Sequence, residues 1–292
     1  MRSRPLLRKE DESKRSMLNQ KSSPTLYPEV NRLLDTLIPE IQASLGQQFI
    51  GMYLYGSLAY GGFDEDSDVD FVVVTRTELS DELVEALQDM HDRIAAVWYT
   101  FQLEGTYIPE EALRQFDPVK ALYLHLDRGM GERLHRMHIE EPLLSRAWWS
   151  GWVMLRSVLL KKGITVAGPA PASLMEPILP GELKEATLAN LVGWAAPLLN
   201  EPQRISHTGY QSYCVLTMCR SLYSLEYDSI VSKQAAARWA MARFGEPWRS
   251  LIERTWDGRH HPDQPAASEE IQATLDFIRF TLQSCHVPLT GL

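Results

Sequence analysis

Cysteine is scarce in this chain: Cys214, Cys219 and Cys285 are the only three in 292 residues. An odd number without regular spacing excludes a disulfide framework and fits a reducing compartment. Cys214 and Cys219 form no C-x-x-C pattern, so both are expected to be small buried apolar residues. Long apolar runs are missing too. No segment approaches the roughly 18 residues of a membrane-crossing helix. The basic start (Arg2, Arg4, Arg8, Lys9) is not followed by the apolar stretch of a secretion signal. A cytoplasmic protein with no membrane partner is expected. Positive charge is also in deficit, with 29 Lys and Arg against 38 Asp and Glu and a net charge of −9. That disfavours nucleic acid as a partner, because phosphate backbones demand cations. It favours a cationic ligand through long-range attraction. Residues 1–26 hold many charges and few large apolar side chains, which predicts a disordered tail.

What is present is globular: 45% apolar and 23% charged residues, enough for a sizeable core. Val30, Leu33, Leu34, Leu37, Ile38, Ile41 and Leu45 follow helical spacing and Gly46 ends the run. Phe49–Tyr55 and Val69–Val74 read as strands. Leu79–Val97 returns to helical period, with Ser80 and acidic residues at its start. Thr100–Tyr107 alternates and is expected as a further strand. After about residue 170 no strand pattern is evident. Helices are expected over 142–161, 180–199, 209–225, 232–243, 248–256 and 268–284. The Pro-rich stretch from Gly168 to Pro180 is the expected domain boundary. His125, His135 and His138 lack the spacing of metal ligands and read as surface or core residues. His260 and His261 read as solvated. Trp148, Trp149, Trp152, Trp194, Trp239 and Trp248 read as helix core.

The informative stretch runs from Leu54 to Asp70. It places Gly56-Ser57 at the end of one strand, a turn containing Gly61-Gly62, and Asp68-Val69-Asp70 at the start of the next strand. Residues i and i+2 of a strand share a face, so Asp68 and Asp70 aim two hard carboxylates at one spot. Such a pair suits Mg²⁺, which takes its remaining ligands from water and substrate phosphates. Gly56 lets the backbone approach a phosphate closely, and Ser57 adds a hydroxyl donor to the cradle. A third carboxylate is expected from a neighbouring strand. Glu104 fits best, with Glu110 and Glu111 as alternatives. Mutually repelling carboxylates at one place imply cations there.

Gly56-Ser57 followed by Ser67-Asp68-Val69-Asp70 and an apolar run resembles the signature of the DNA-polymerase-β-like nucleotidyltransferases. Tyr55-Gly56-Ser57 with Gly61-Gly62 is similar to the bacterial aminoglycoside adenylyltransferases of the streptomycin/spectinomycin type. Val166–Pro169 resembles the family's Gly-Pro element at the domain junction. Leu216-Thr217-Met218-Cys219-Arg220 with Tyr223 resembles its Leu-Thr-x-x-Arg-x-x-Tyr helix. Ser232-Lys233 with Ala236, Trp239 and Ala240 resembles a third element. The likeness runs from about residue 28 to 255. It implies an α/β (α+β) nucleotidyltransferase domain with a mixed sheet over 27–177, then an all-α helical-bundle domain over 178–292, with the site between them. It implies an ATP- and Mg²⁺-dependent enzyme, acting as a monomer, that adenylylates a hydroxyl of a small acceptor such as spectinomycin. Asp68 and Asp70 would bind metal, and Glu104 would be the general base. Gly56, Ser57, Lys233 and Arg220 would hold the nucleotide. Two places depart from the family. Residues 201–210 carry neutral and aromatic side chains plus Arg204, where acidic and Trp residues help hold the aminoglycoside. No Trp stands near His125–Asp127. Both departures predict streptomycin to be a poor acceptor. A transferase acting on protein or tRNA, as in toxin–antitoxin pairs, and a non-catalytic nucleotide-binding protein are the competing readings.

Overall fold

The computed structural model describes residues 23–117, 122–127, 133–138 and 145–287. Most of the expected tail lies outside the described residues. The chain is held from Thr25, whose hydroxyl and N–H both donate to Asn31 Oδ1, at 2.8 and 3.0 Å. Helix α1 (Pro28–Leu45) buries Val30, Leu33, Leu34, Leu37, Ile41 and Leu45, the stripe that the 3.6-residue period dictates.

A six-stranded mixed sheet follows, in the order β5-β4-β3-β2-β1-β6. β1 (Phe49–Leu54) runs antiparallel to β2 (Val69–Thr75), and β2 runs parallel to β3 (Leu103–Pro109). The short helix α2 (Gly56–Tyr60) lies between β1 and β2, and α3 (Asp81–Val97) crosses from β2 to β3. Parallel neighbours need such a crossover. β3 begins at Leu103, three residues later than the alternation suggested, because residues 99–102 form the turn that leaves α3.

Three strands escaped the sequence reading. β4 (Tyr123–Asp127) and β5 (Arg133–Met137) extend the sheet beyond β3, and β6 (Ile164–Ala167) borders β1. β4 and β5 have five residues each, and Arg136 breaks the alternation of β5, so neither stands out as a strand. β6 has four residues, too few to register a period.

The sheet has two different faces. Met52, Leu54, Phe71, Val73, Tyr107 and Leu126 pack with α1 and α3 in one core. Tyr53, Val72, Val74 and Ile108 point the other way, toward the helix α4 (Glu110–Arg114) and helix α5 (Ser145–Lys162). Period-2 alternation thus leaves Asp70, Glu104 and Thr106 on the α5 side.

The rest is helical, as expected. The helix anticipated over 180–199 is interrupted: α6 (Glu182–Asn190) passes into a π-helical turn at Leu191–Ala195 before α7 (Ala196–Leu198). Pro197 has no N–H to donate and its ring crowds the preceding turn, so a regular helix cannot run through it. Helix α8 (Thr208–Tyr227) runs through the middle, packed by α6 and by α9 (Lys233–Phe244), α10 (Trp248–Gly258) and α11 (Ser268–Ser284). Its Cys214, Val215, Met218 and Cys219 meet Phe277 and Ile278 in a second core. Burial pushes the Cys214 thiol up to about 12 and Cys219 higher still, so both are inert apolar fillers. A smaller cluster of Val158, Leu183 and Ile230 joins the two halves. Among the described residues no helix is long and apolar enough to cross a membrane.

Candidate active site

One cavity of about 760 Å³ lies between the sheet and the helical half. Its chemistry starts at the end of β1. There the chain bends through Gly56 at φ +59° into α2, and an added Cβ would stand 1.8 Å from Asp70 Oδ2. The glycine is therefore required twice, for a left-handed backbone and for room beside a carboxylate. The Ser57 N–H bonds to Asp70. The Ser57 hydroxyl is buried with no hydrogen-bond partner among the described residues, a donor available to a ligand.

Asp68 stands just before β2, and Asp70 is its second residue, paired in register with Glu104 on β3. All three line the cavity, whereas Glu110 and Glu111 do not, and Glu110 is paired to Arg114 at 2.6 Å. Burial pushes the Asp70 carboxyl up to about 6, with the Asp68 charge adding to it and Lys233, the Ser57 N–H and Arg220 opposing. Tyr55 was not anticipated. Burial first, then the charges of Asp70 and Glu104, hold its phenol well above its ordinary value, so it is a neutral group among carboxylates.

The opposite wall is cationic. Arg220 on α8 and Lys233 at the start of α9 both line the cavity, as does Arg259 just past α10. Lys233 is open to the solvent of the cleft yet surrounded by protein on most sides. Burial lowers its pKa, and Arg220 and Arg259 lower it further, ahead of the opposing pull of Asp70 and Asp68. Burial likewise lowers Arg220, which lies among Tyr213, Tyr60 and Asp70. Cations crowded together in this way are stabilised by an anion between them.

The remaining wall is aromatic. Phe116, Tyr123, Met137, Trp148 and Trp152 line it, together with His125, whose Nδ1 lies 3.3 Å from Thr106 Oγ1. Trp148 and Trp152 were expected in a helix core; instead they face the cavity. Trp152 Nε1 donates to the Ala112 carbonyl at 2.8 Å, and the Arg156 guanidinium stacks 4.0 Å from its ring. His260 is exposed, as expected, and its Nδ1 lies 2.7 Å from Asp66 Oδ2. Arg204 lies outside the cavity and pairs with Glu201 at 3.3 Å, so it repels nothing there. Sequence spacing alone held one clue to the aromatic wall: Trp148, Trp152 and Leu155 form a stripe at helical spacing.

A strand-borne carboxylate pair facing a cationic wall across a cleft, on a mixed sheet of this order, defines a nucleotidyltransferase. Residues 38–123 match the family described as nucleotidyltransferase domain, and residues 173–284 match the aminoglycoside adenylyltransferase C-terminal domain. In this order the two matches are those of an aminoglycoside adenylyltransferase, an enzyme of the nucleotidyltransferase class. It is 23% identical over 257 residues to a spectinomycin 9-adenylyltransferase of Campylobacter jejuni, covering 84% of this chain and 93% of the relative. It is 26% identical over 239 residues to an aminoglycoside (3'') (9) adenylyltransferase of Escherichia coli, covering 77% and 82%. The crystal structure of a spectinomycin adenyltransferase from Enterococcus faecialis with ATP and spectinomycin shares the fold. Its TM-score is 0.65 at 16% identity, over 86% of this chain and 98% of that one.

Proposed function

We propose that this enzyme transfers AMP from ATP to a hydroxyl of an aminoglycoside-type acceptor, with Mg²⁺ as its metal and spectinomycin preferred over streptomycin. One observation carries the reading: Asp68, Asp70 and Glu104 face Arg220 and Lys233 across a single cavity. A triphosphate would complement the cations, and Asp68 and Asp70 would hold a divalent ion whose charge would relieve their mutual repulsion. The donor set fits Mg²⁺. Asp68 and Asp70 are hard oxygen donors, and no cluster of three or more His, Cys, Asp or Glu is arranged for an ion among the described residues. That leaves the other positions to water and phosphate oxygens. When bound, Mg²⁺ would neutralise the charge that builds on the phosphate oxygens.

The chain's own groups supply the rest. Lys233, Arg220 and the Ser57 hydroxyl hold the phosphates. Glu104 neighbours Asp70 on the adjacent strand and would take the acceptor's proton as its oxygen attacks the α-phosphorus and pyrophosphate leaves. The aromatic wall packs the acceptor's ring faces. Among the described residues this wall carries aromatic and neutral side chains, which suit the less strongly cationic spectinomycin. This assigns the acceptor preference to the wall rather than to Arg204.

The test is pyrophosphate release with Mg²⁺ and ATP across an acceptor panel. Higher kcat/KM for spectinomycin than for streptomycin supports the assignment. The reverse order refutes the role given to the aromatic wall, and no release with any acceptor refutes the transfer itself.

A further inference from the structure

The turn between α2 and β2 meets the helical half at three separate points. Arg259 donates from one guanidinium nitrogen to both oxygens of Asp64, at 3.0 and 2.9 Å. His260 Nδ1 lies 2.7 Å from Asp66 Oδ2. Gly62 approaches so closely that an added Cβ would stand 3.2 Å from the Ser232 Cβ. The Arg259 side chain is only 13% exposed and stacks 4.4 Å from the Trp256 ring. The ion pair is thus shielded, unlike the exposed pairs elsewhere on the surface, which contribute little.

Two of these contacts lead directly to a group of the site. Ser67 Oγ donates to Asp64 Oδ1 at 2.7 Å and accepts from the Asp64 N–H at 3.0 Å. Ser67 is followed by Asp68. On the other side, Ser232 caps α9 by accepting from the Ala235 N–H at 3.1 Å, and the next residue is Lys233. Hydrogen bonds from Arg259 through Asp64 to Ser67, and the packing of Gly62 on Ser232, therefore tie the carboxylate loop to the helical half that carries the lysine.

We propose that Asp64 and Arg259 are positioning residues whose ion pair, supported by the Gly62–Ser232 packing, sets the separation of Asp68 and Asp70 from Lys233 and so sets nucleotide affinity. The proposal rests on the phosphate and metal roles given above, but not on the identity of the acceptor. Two groups that must grip one triphosphate from opposite sides work only at a matched distance. No local sequence signal marks the pair, since its members are 195 residues apart.

The experiment measures Mg²⁺–ATP binding by calorimetry, and steady-state kinetics, for Asp64→Asn, Arg259→Met and the double variant. Each single variant should raise the Kd and KM for ATP roughly ten-fold, with kcat at saturating ATP changed less and the acceptor KM unchanged. The double variant should be no worse than the worse single one, because both act through one contact. Gly62→Val perturbs the same separation without touching the ion pair and should also raise the ATP KM; it decides the matter if Asp64→Asn fails to fold. Unchanged ATP affinity in folded variants overturns the proposal. So does a double variant in which the two losses multiply, since that makes Arg259 a direct phosphate ligand. If the wild-type chain binds ATP but modifies no acceptor, the proposed function falls while the binding data still decide this inference. If it binds no ATP, both fall.

Discussion

Asp70→Asn separates stability from function. Asp70 has a folded pKa of about 6, against an ordinary 3.8, chiefly because burial penalises its charge. A carboxyl whose pKa is raised by folding contributes stability that is fully present below its unfolded value and lost as pH rises through the folded value. At pH 7.5, without metal, the ionised group therefore costs the fold at most about 3 kcal/mol, from roughly two pH units at 1.36 kcal/mol each. Water in the cavity screens part of this, so about half is a reasonable expectation. Asn keeps the shape and the Ser57 N–H neighbour but removes the charge. The variant should then melt about 2–3 °C higher than wild type at pH 7.5 in chelator. Below pH 4 the difference should vanish, because wild type is protonated as well. Addition of Mg²⁺–ATP should stabilise wild type by mass action and leave the variant unchanged, and turnover should be lost. Thermal melts over pH 4 to 8, with chelator or with Mg²⁺–ATP, read all of this. A variant less stable than wild type at pH 7.5 in chelator would show that Lys233 and Arg220 outweigh burial, and would refute the reasoning.

Three further outcomes follow from the same geometry. Glu104→Gln should keep Mg²⁺–ATP binding near normal while kcat drops by about 10²–10⁴ and the pH–rate profile loses its acidic limb; full turnover would remove Glu104 as the base. Lys233→Ala should raise the ATP KM with little change in melting temperature, and a loss of stability with normal ATP kinetics would make Lys233 structural. His91 is buried against Tyr107, its Nε2 lying 2.7 Å from the phenol oxygen, and burial lowers its pKa to about 4. Its neutral form is favoured by the fold, so stability should be present above pH 6.5 and fall by up to about 3 kcal/mol as pH drops toward 4. Denaturant titrations of His91→Phe should show lower stability at pH 7, from the stranded Tyr107 hydroxyl, but a flatter acid limb; an equally steep limb would assign the acid sensitivity elsewhere.

The sequence made the catalytic floor legible because its signals are local. Gly56-Ser57 and Asp68-Val69-Asp70 sit within one β-turn-β unit, and strand period alone puts the carboxylates together. The helical half was legible for the same reason, since an apolar stripe of period 3.6 is visible in any window of a dozen residues. The remaining wall was not. Trp148 and Trp152 have the spacing of core residues, and only the open cavity opposite them shows that they face a site. β4 presents His125 to the cavity from an outer part of the sheet, on a strand of only five residues. The bridges from Asp64 to Arg259 and from Asp66 to His260 join residues far apart in the chain, and no local spacing encodes a distance of that kind.

The central claim is that AMP passes from ATP to a small hydroxylated acceptor in the cleft between Asp70 and Lys233. Incubation of the enzyme with Mg²⁺, spectinomycin and ATP labelled at either the α- or the γ-phosphate tests it most directly. Label should reach the antibiotic from α-labelled ATP alone, with one pyrophosphate released per labelled molecule and none of either with Asp70→Asn. Label arriving from the γ-phosphate, or spectinomycin left unlabelled while ATP is consumed, would contradict it.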